Sequence, residues 1–220
     1  MEEGQDRVLP RNGAGRISAI RLETSGRVKR AAVYVDDRLA VYALPGEAKN
    51  LVVGEVVRGE ELRQLQARYQ KGAYLQAVRF LARRDRSVRE VQRHLYAKGW
   101  DEAACEHAVN RLQQERFLDD KALARKWVDY RARTAPRSRR VMMRELEQKG
   151  LDRQIIGDAV ASMDEEALSL SCAQKKARQW QRFAGDERRQ RIMVFLQRKG
   201  FPYAVCRETA RRMIADGQDD

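Results

Sequence analysis

Polar and apolar residues alternate with a period of two along the early part of the chain, from Arg16 to Ala43. Such alternation is typical of strands that bury one face of a sheet. The apolar positions are Ile20, Leu22, Val33, Val35, Leu39, Val41 and Ala43. They form three runs, which turn-forming residues at 24–26 and 36–37 separate. The pattern predicts a small antiparallel β meander.

Beyond the meander the hydrophobic period becomes that of a helix. Pro45 and Gly46 end the last strand, and Glu60 and Glu61 open a predicted short helix. Its apolar positions are Leu62, Leu65 and Tyr69. After Gly72, glycine and proline become scarce and apolar residues recur every three or four positions. The chain from there on is predicted to be helical.

The helical part repeats itself. Three Lys-Gly pairs, at 98–99, 149–150 and 199–200, mark equivalent points with spacings of 51 and 50 residues. Aligned on these pairs, the apolar columns are Val91 with Met142 and Ile192, Leu95 with Leu146 and Leu196, Trp100 with Leu151 and Phe201, Cys105 with Ile156 and Cys206, Val109 with Val160 and Ala210, and Leu112 with Met163 and Met213. So many columns in register around a fixed break indicate three copies of one unit.

Each unit has the same helix signals. In the first unit Ser87 and Glu90 form a capping box at the start of the second helix, and Ser138 takes the place of Ser87 in the second unit. Each second helix ends at the Lys-Gly pair, where glycine can adopt the left-handed conformation. The third helices start at Asp101, at Asp152 and behind Pro202. Three short helices stack stably only on neighbours, so we expect a curved tandem array with an elongated surface.

We therefore predict a mainly α fold, a tandem array of three three-helix repeats preceded by a small antiparallel β meander. The predicted boundaries are a flexible leader at 1–15, a β-rich extension with a short helix at 16–72, repeats at 73–122, 123–165 and 166–216, and a tail at 217–220.

The charge balance points to a polyanionic partner. The chain of 220 residues has 45 basic and 32 acidic side chains, and the net charge of +13 suits nucleic acid, a nucleoprotein or an anionic surface. No apolar segment is long enough for a signal peptide or a membrane span. Three widely spaced cysteines predict neither disulfides nor a thiolate zinc site. We expect a monomer in the reducing cytoplasm.

Basic residues concentrate in two clusters. The first contains Arg125, Lys126, Arg131, Arg133, Arg137, Arg139, Arg140 and Arg144, against the single acid Asp129. The second contains Lys175, Lys176, Arg178, Arg182, Arg188, Arg189 and Arg191. Like charges at helical spacing repel one another, so a basic run of this density favours a phosphate- or carboxylate-binding patch over a merely solvated face. Arginine predominates, which favours bidentate contacts.

Catalytic signals are weak. No phosphate-binding loop, dinucleotide fingerprint or nucleophile elbow is present. The two histidines are interpreted as ordinary helical residues, with a metal held by His94, Cys105 and His107 as a minor alternative. Asp119 and Asp120 are interpreted as a helix start rather than as the carboxylate pair of a metal nuclease. The prediction is a protein without catalytic activity, metal or cofactor.

Aromatic residues are predicted to lie in the core rather than to stack on bases, because they fall in apolar columns. They are Trp100, Trp127, Trp180, Tyr130 and Phe201.

The segment from 87 to 160 resembles the core of the RecX family of regulatory proteins. The most specific parts are the Lys-Gly helix ends, the ERFLDD step at 115–120 and the Pro-Arg-Ser-Arg-Arg run at 136–140. The likeness covers 73–165 well and the third unit more loosely, since Arg188 replaces the capping serine there. Residues 16–45 resemble the N-terminal extension of longer members.

The resemblance implies an all-helical array that lies along the groove of a RecA filament on single-stranded DNA and bridges neighbouring protomers. It also implies slower ATP turnover, strand exchange and coprotease activity of RecA, and it carries over no active site. We therefore expect RecA filaments and single-stranded or double-stranded DNA as partners, with both basic clusters supplying contacts. The alternative is a stand-alone DNA-binding protein whose helix triplets act as helix-turn-helix modules.

Overall fold

The computed structural model describes residues 13–215, and within them the chain forms four strands and eleven helices. The chain divides into two compact units, the first ending at Leu118 and the second beginning at Asp119. The predicted leader, up to residue 12, and the predicted tail lie outside the described residues.

The first unit begins with an antiparallel sheet in the order β3-β2-β1-β4. Its elements are β1 (Ala14–Ser25), β2 (Val28–Val35), β3 (Arg38–Ala43), α1 (Pro45–Ala48) and β4 (Val56–Arg58). The predicted meander is confirmed, and Asp36 and Asp37 both have positive φ, as a tight hairpin turn requires. The fourth strand was not predicted, because three residues are too few to show a period of two.

Leu22 was expected to face the core, but its side chain is 75% exposed. It shares its side of the sheet with its register partner Ala31, which is fully buried. Among the described residues β4 pairs with β1 only at 14–16, so Leu22 lies at an edge that no neighbouring strand covers.

A single long helix, α2 (Gly59–Leu81), replaces the predicted short helix and the first helix of the first repeat. The expected separation into two helices at Gly72 is therefore wrong. A Cβ atom at Gly72 would come within 2.8 Å of the Trp100 ring. The glycine lets that ring pack directly on the helix backbone and does not break the helix.

The remaining helices form the three expected repeats. The first repeat uses the later part of α2 with α3 (Val88–Lys98) and α4 (Glu102–Gln114). The second consists of α5 (Asp120–Thr134), α6 (Arg139–Gln148) and α7 (Arg153–Val160). The third consists of α8 (Glu165–Gln174), α9 (Ala177–Trp180), α10 (Gly185–Arg198) and α11 (Tyr203–Ala215).

Every aligned apolar column is buried, which confirms the repeat. The columns that begin with Val91 and Leu95 are fully buried in all three copies, and the others are at most 8% exposed. These positions form one core cluster in each repeat, since the spacing of three and four residues brings them to one helix face.

The predicted helix caps are confirmed. The hydroxyl of Ser87 accepts from the Glu90 amide, and Ser138 accepts from the Val141 amide. Asp119, Asp101 and Asp152 likewise cap the helices that follow them. The glycines of the three Lys-Gly pairs have φ of 102°, 81° and 91°, the left-handed conformation expected at a helix end.

The third repeat departs from the other two. Its first helix is broken, because α8 ends at Gln174 and only the four-residue α9 follows. Its second helix starts early, at Gly185, so that Arg188 lies inside α10 rather than at a cap. An open groove lies between α9 and α10.

Two of the Lys-Gly ends pack against a backbone neighbour within their own unit. In the first unit, the Arg27 amide in the β1–β2 turn donates to the Lys98 carbonyl at 2.7 Å. In the second unit, the Ser138 amide donates to the Lys199 carbonyl at 3.4 Å. The glycine that follows each lysine permits the close approach, since a Cβ at Gly99 would overlap the Ser25 carbonyl oxygen.

Candidate functional site

All fifteen basic residues predicted to bind a partner belong to the second unit. The first cluster lies on α5, on the loop after it and on α6. The second cluster lies between the end of α8 and the first half of α10. The structure thus gathers the predicted site on one compact body.

On α5, three exposed cations lie beside an exposed aromatic ring. Lys126, Tyr130 and Arg133 are spaced by four and three residues, which places them on one helix face, and Arg125 is also exposed. Tyr130 was expected in the core, but its side chain is 53% exposed. It follows the buried Val128 by two residues, about 200° around the helix, so it must point away from the core. This spacing is the signal that could have identified it.

On α6, Arg140 and Arg144 are exposed one helical turn apart. Neither side chain forms an ion pair or hydrogen bond with any residue in the range 13–215. Neighbouring like charges repel by about 0.2–0.5 kcal/mol on a helix surface, and no acid of the described chain compensates this pair. The two guanidinium groups are therefore available to an external anion.

Arg131 has a partner within the chain. Its Nε donates to Glu145 Oε2 at 2.8 Å, and the same oxygen accepts from Trp127 Nε1 at 2.9 Å. The Arg131 guanidinium and the Lys149 ammonium also lie over the Trp127 ring, at 5.0 and 4.0 Å from its centroid. This cluster joins α5 to α6 and neutralises part of the first basic cluster.

Three further arginines of the predicted site turn partly inward. Arg139 Nη2 donates to the Met163 carbonyl at 2.8 Å, and its amide donates to Glu165. Arg188 Nη2 donates to the Met213 carbonyl at 3.3 Å. Arg137 is partly buried, and its Nε atom lies in the interior. Arg139 thus holds a carbonyl group just beyond the end of α7, and Arg188 holds one in the last turn of α11.

Two arginines of the second cluster have acidic partners. Arg189 pairs with Asp186 at 3.3 Å and Arg191 with Glu187 at 2.8 Å, while Lys175 donates to the Arg133 carbonyl at 2.6 Å. Lys176 lies over the Phe195 ring, Arg182 and Arg191 lie over the Phe183 ring, and Arg178 is exposed. Carboxylates of the described chain thus neutralise Arg189 and Arg191, while the other members of this cluster contact carbonyl groups or aromatic rings or face the solvent.

The residues of the minor metal alternative have other contacts. The His94 ring stacks on Phe80 at 3.9 Å, and desolvation lowers the pKa of His94. The Cys105 thiol is buried and donates to the Trp100 carbonyl, and burial raises its pKa to about 12. No group of three His, Cys, Asp or Glu residues in the described part of the chain is arranged to hold a metal.

The described residues, 13 to 215, contain no helix long and apolar enough to cross a membrane.

Comparisons with known sequences identify all three repeats. The family descriptions that match are the first three-helix domain of RecX at 73–112, the second at 119–160 and the third at 164–209. A protein of Chlorobaculum tepidum named "Regulatory protein RecX" is 31% identical over 140 residues, which are 64% of this chain and 87% of that protein. A protein of Bacillus velezensis with the same name is 29% identical over 201 residues, or 87% of this chain and 75% of that protein.

Solved structures share the fold. The crystal structure of a regulatory protein RecX matches with a TM-score of 0.57 and 22% identity, covering 92% of this chain and 99% of that one. The crystal structure of RecX from Lactobacillus salivarius matches with a TM-score of 0.60 and 22% identity, covering 67% of this chain and 97% of that one.

Proposed function

Because the chain belongs to the RecX family of regulatory proteins, we propose that it binds the RecA filament on single-stranded DNA and restrains it. Binding slows ATP hydrolysis, strand exchange and the coprotease activity of the filament. The protein itself catalyses no reaction, and it acts by occupying the surface on which RecA and DNA meet.

The observation that carries this proposal is the pair Arg140 and Arg144 on α6, whose exposed side chains have no acidic partner in the described chain. A RecA filament on DNA presents phosphates and acidic side chains, and guanidinium groups bind both with paired hydrogen bonds. Since no acid of the described chain competes for Arg140 and Arg144, these groups meet an external anion without first breaking an internal ion pair.

The test compares two double variants of equal charge in a RecA ATPase assay on single-stranded DNA. Arg140→Glu with Arg144→Glu removes the proposed contact. Arg153→Glu with Arg207→Glu changes the net charge of the same unit equally, at two exposed positions outside both clusters. We expect the first variant to require about tenfold more protein for half-inhibition, as loss of charged contacts worth about 1.4 kcal/mol gives. Equal potency of the two variants would contradict the proposal.

A second candidate function is DNA binding on its own, and the exposed ring of Tyr130 between Lys126 and Arg133 favours it. Aromatic rings flanked by cations are platforms on which unpaired bases stack. In that case inhibition of RecA follows from occupied DNA and disappears when DNA is in excess. Inhibition that persists at saturating DNA, together with unchanged potency of Tyr130→Ala, would exclude this candidate.

A further inference from the structure

The groove between α9 and α10 is an open pocket of about 480 Å³ in the third repeat. Lys176 and Trp180 line it on one side, and Arg191, Val194 and Arg198 line it on the other. Its volume lies in the range of pockets that hold a small ligand or one large side chain with its flanking backbone.

The other two repeats fill the equivalent place with their own side chains. The position of Phe195 in the third repeat is His94 in the first, where the ring stacks on Phe80 at 3.9 Å. In the second repeat it is Glu145, which binds Trp127 and Arg131 from the preceding helix. These contacts join the first two helices of their repeats.

In the third repeat the first helix breaks after Gln174, and the junction stays open. Phe195 meets only the edge of Trp180, at 5.3 Å between ring centroids and an angle of 64°. The three copies of the repeat thus use different side chains at this junction, and in the third copy an open groove lies beside it.

The walls of the pocket suit an aliphatic side chain better than a nucleobase. Trp180 is only 7% exposed, and the Lys176 and Lys199 ammonium groups lie over the Phe195 ring at 5.4 and 5.3 Å from its centroid. A base would need a free ring face on which to stack. The most exposed apolar residue of the lining is Val194, at 39%, and Phe195 beside it is partly buried.

The charges on the rim of the pocket favour acidic residues next to the inserted side chain. Glu187 is paired with Arg191 at 2.8 Å, whereas Arg198 has no ion pair with any residue from 13 to 215. Lys176 and Arg198, both exposed, therefore leave the rim with excess positive charge. Carboxylates on either side of an aliphatic residue would bind these two cations.

We propose that this pocket binds an acidic peptide segment of a partner protein, with one aliphatic side chain inserted against Val194 and its neighbouring carboxylates on Lys176 and Arg198. The pocket lies on the third repeat and the proposed filament contact on α6 of the second. Peptide binding therefore stands or fails independently of the RecA assay described above.

The experiment titrates the full chain into a fluorescein-labelled EEELEEE peptide and follows the fluorescence anisotropy. The same peptide with glycine in place of leucine, and a thymidine oligonucleotide of similar length, serve as comparison probes. We expect the leucine peptide to bind about tenfold more tightly than the glycine peptide, because burial of a leucine side chain contributes at least that factor. In an isotope-labelled sample the Val194 methyl signals should shift as the peptide saturates.

Two variants and one control locate the site. Val194→Asp and Arg198→Gln, both at exposed positions, should each lower the affinity for the leucine peptide by about tenfold. Arg207→Gln on α11 removes the same charge outside the pocket and should leave binding unchanged. Circular dichroism spectra of the variants establish that the fold is retained.

Three results would overturn the proposal. The first is absence of saturable peptide binding below about 1 mM, and the second is equal affinity for the leucine and glycine peptides. The third is loss of oligonucleotide binding, but not of peptide binding, in Val194→Asp, which would assign the pocket to nucleic acid.

Discussion

The amide of Ser138 donates a hydrogen bond to the carbonyl oxygen of Lys199, and so joins the start of α6 to the end of α10. The Ser138 hydroxyl at the same time caps its own helix by accepting from Val141. One buried serine therefore orders a helix start and packs the third repeat on the second. The contact depends on Gly200, where a Cβ atom would lie 2.8 Å from the Ser138 hydroxyl oxygen and would overlap the Val141 side chain.

Gly200→Ala should lower the free energy of unfolding of the second unit by about 1–3 kcal/mol. The alanine would be strained at a φ of 91° and would separate α10 from α6. Gly157→Ala is the matched control, since Gly157 lies inside α7 and a Cβ atom there would meet no neighbouring atom within 4 Å. Alanine there should stabilise the helix by about 1 kcal/mol. Urea titrations monitored by circular dichroism measure both changes in unfolding free energy. If Gly200→Ala is as stable as Gly157→Ala, the contact between Ser138 and Lys199 does not matter for stability.

Gly72→Ala should destabilise the first unit, although glycine to alanine in an exposed helix normally stabilises it. The added methyl group would meet the Trp100 ring at 2.8 Å and displace the indole, whose Nε1 donates to Gln76 at 2.9 Å. We expect a loss of about 1–3 kcal/mol, as for other overpacked cores. Thermal unfolding measures the loss, and a change in indole fluorescence reports the displaced ring. A rise in melting temperature would mean that Trp100 moves aside without cost.

Arg131→Gln and Arg140→Gln should have opposite effects on stability and on binding. Arg131 bonds Glu145 and lies over Trp127, so its loss should cost about 1–2 kcal/mol of unfolding free energy while RecA inhibition by the folded protein persists. Arg140 has no partner in the described chain, so its loss should change stability by less than about 0.5 kcal/mol but weaken inhibition. Chemical denaturation and the RecA ATPase assay separate the two effects. If Arg131→Gln is stable but inhibits RecA less, then Arg131 contacts the partner and has no main role in stability.

The Cys105 thiol should be unreactive in the folded protein. Burial raises its pKa to about 12, so at pH 8 the thiolate fraction is on the order of 10⁻⁴. Because the unfolded thiol ionises near pH 8.5, its contribution to stability is complete below that pH and is lost as the pH rises towards 12. Burial also raises the pKa of Cys172 and Cys206. An aromatic disulfide reagent at pH 8 should therefore label all three thiols in guanidinium chloride and very few in buffer.

Rapid labelling in buffer would show that the first repeat opens often. The variant Cys105→Ala is the control, since it removes the Cys105 signal and should also flatten the decline of stability above pH 8.5.

The parts of the fold that the sequence predicts correctly are those that depend on residues close together in the chain. A serine cap, a glycine after the last turn and apolar residues every three or four positions act within one helix, so Ser87, Gly99 and the buried columns can be recognised without a structure. Gly72 is misleading because the reason for it, the Trp100 ring, lies outside its own helix. The exposure of Leu22 likewise depends on where the short strand β4 stops.

The sequence shows where basic residues concentrate, but it does not show which of them face the solvent. Charge density alone places the basic clusters on the second and third repeats. Whether a given arginine faces solvent depends on distant acceptors: Arg139 and Arg188 reach the carbonyls of Met163 and Met213, more than twenty residues away along the chain. Tyr130 was predicted to be buried but is exposed, because it lies on the opposite side of α5 from the buried Val128.

Two Lys-Gly helix ends pack against different kinds of structure. The end at Lys98 contacts the β1–β2 turn in the first unit, and the end at Lys199 contacts the start of α6 in the second. In both cases the lysine carbonyl accepts one backbone amide, and the glycine that follows leaves room for the partner. The same kind of helix end can therefore dock on a β turn or on a helix start, because a backbone amide makes the hydrogen bond in both.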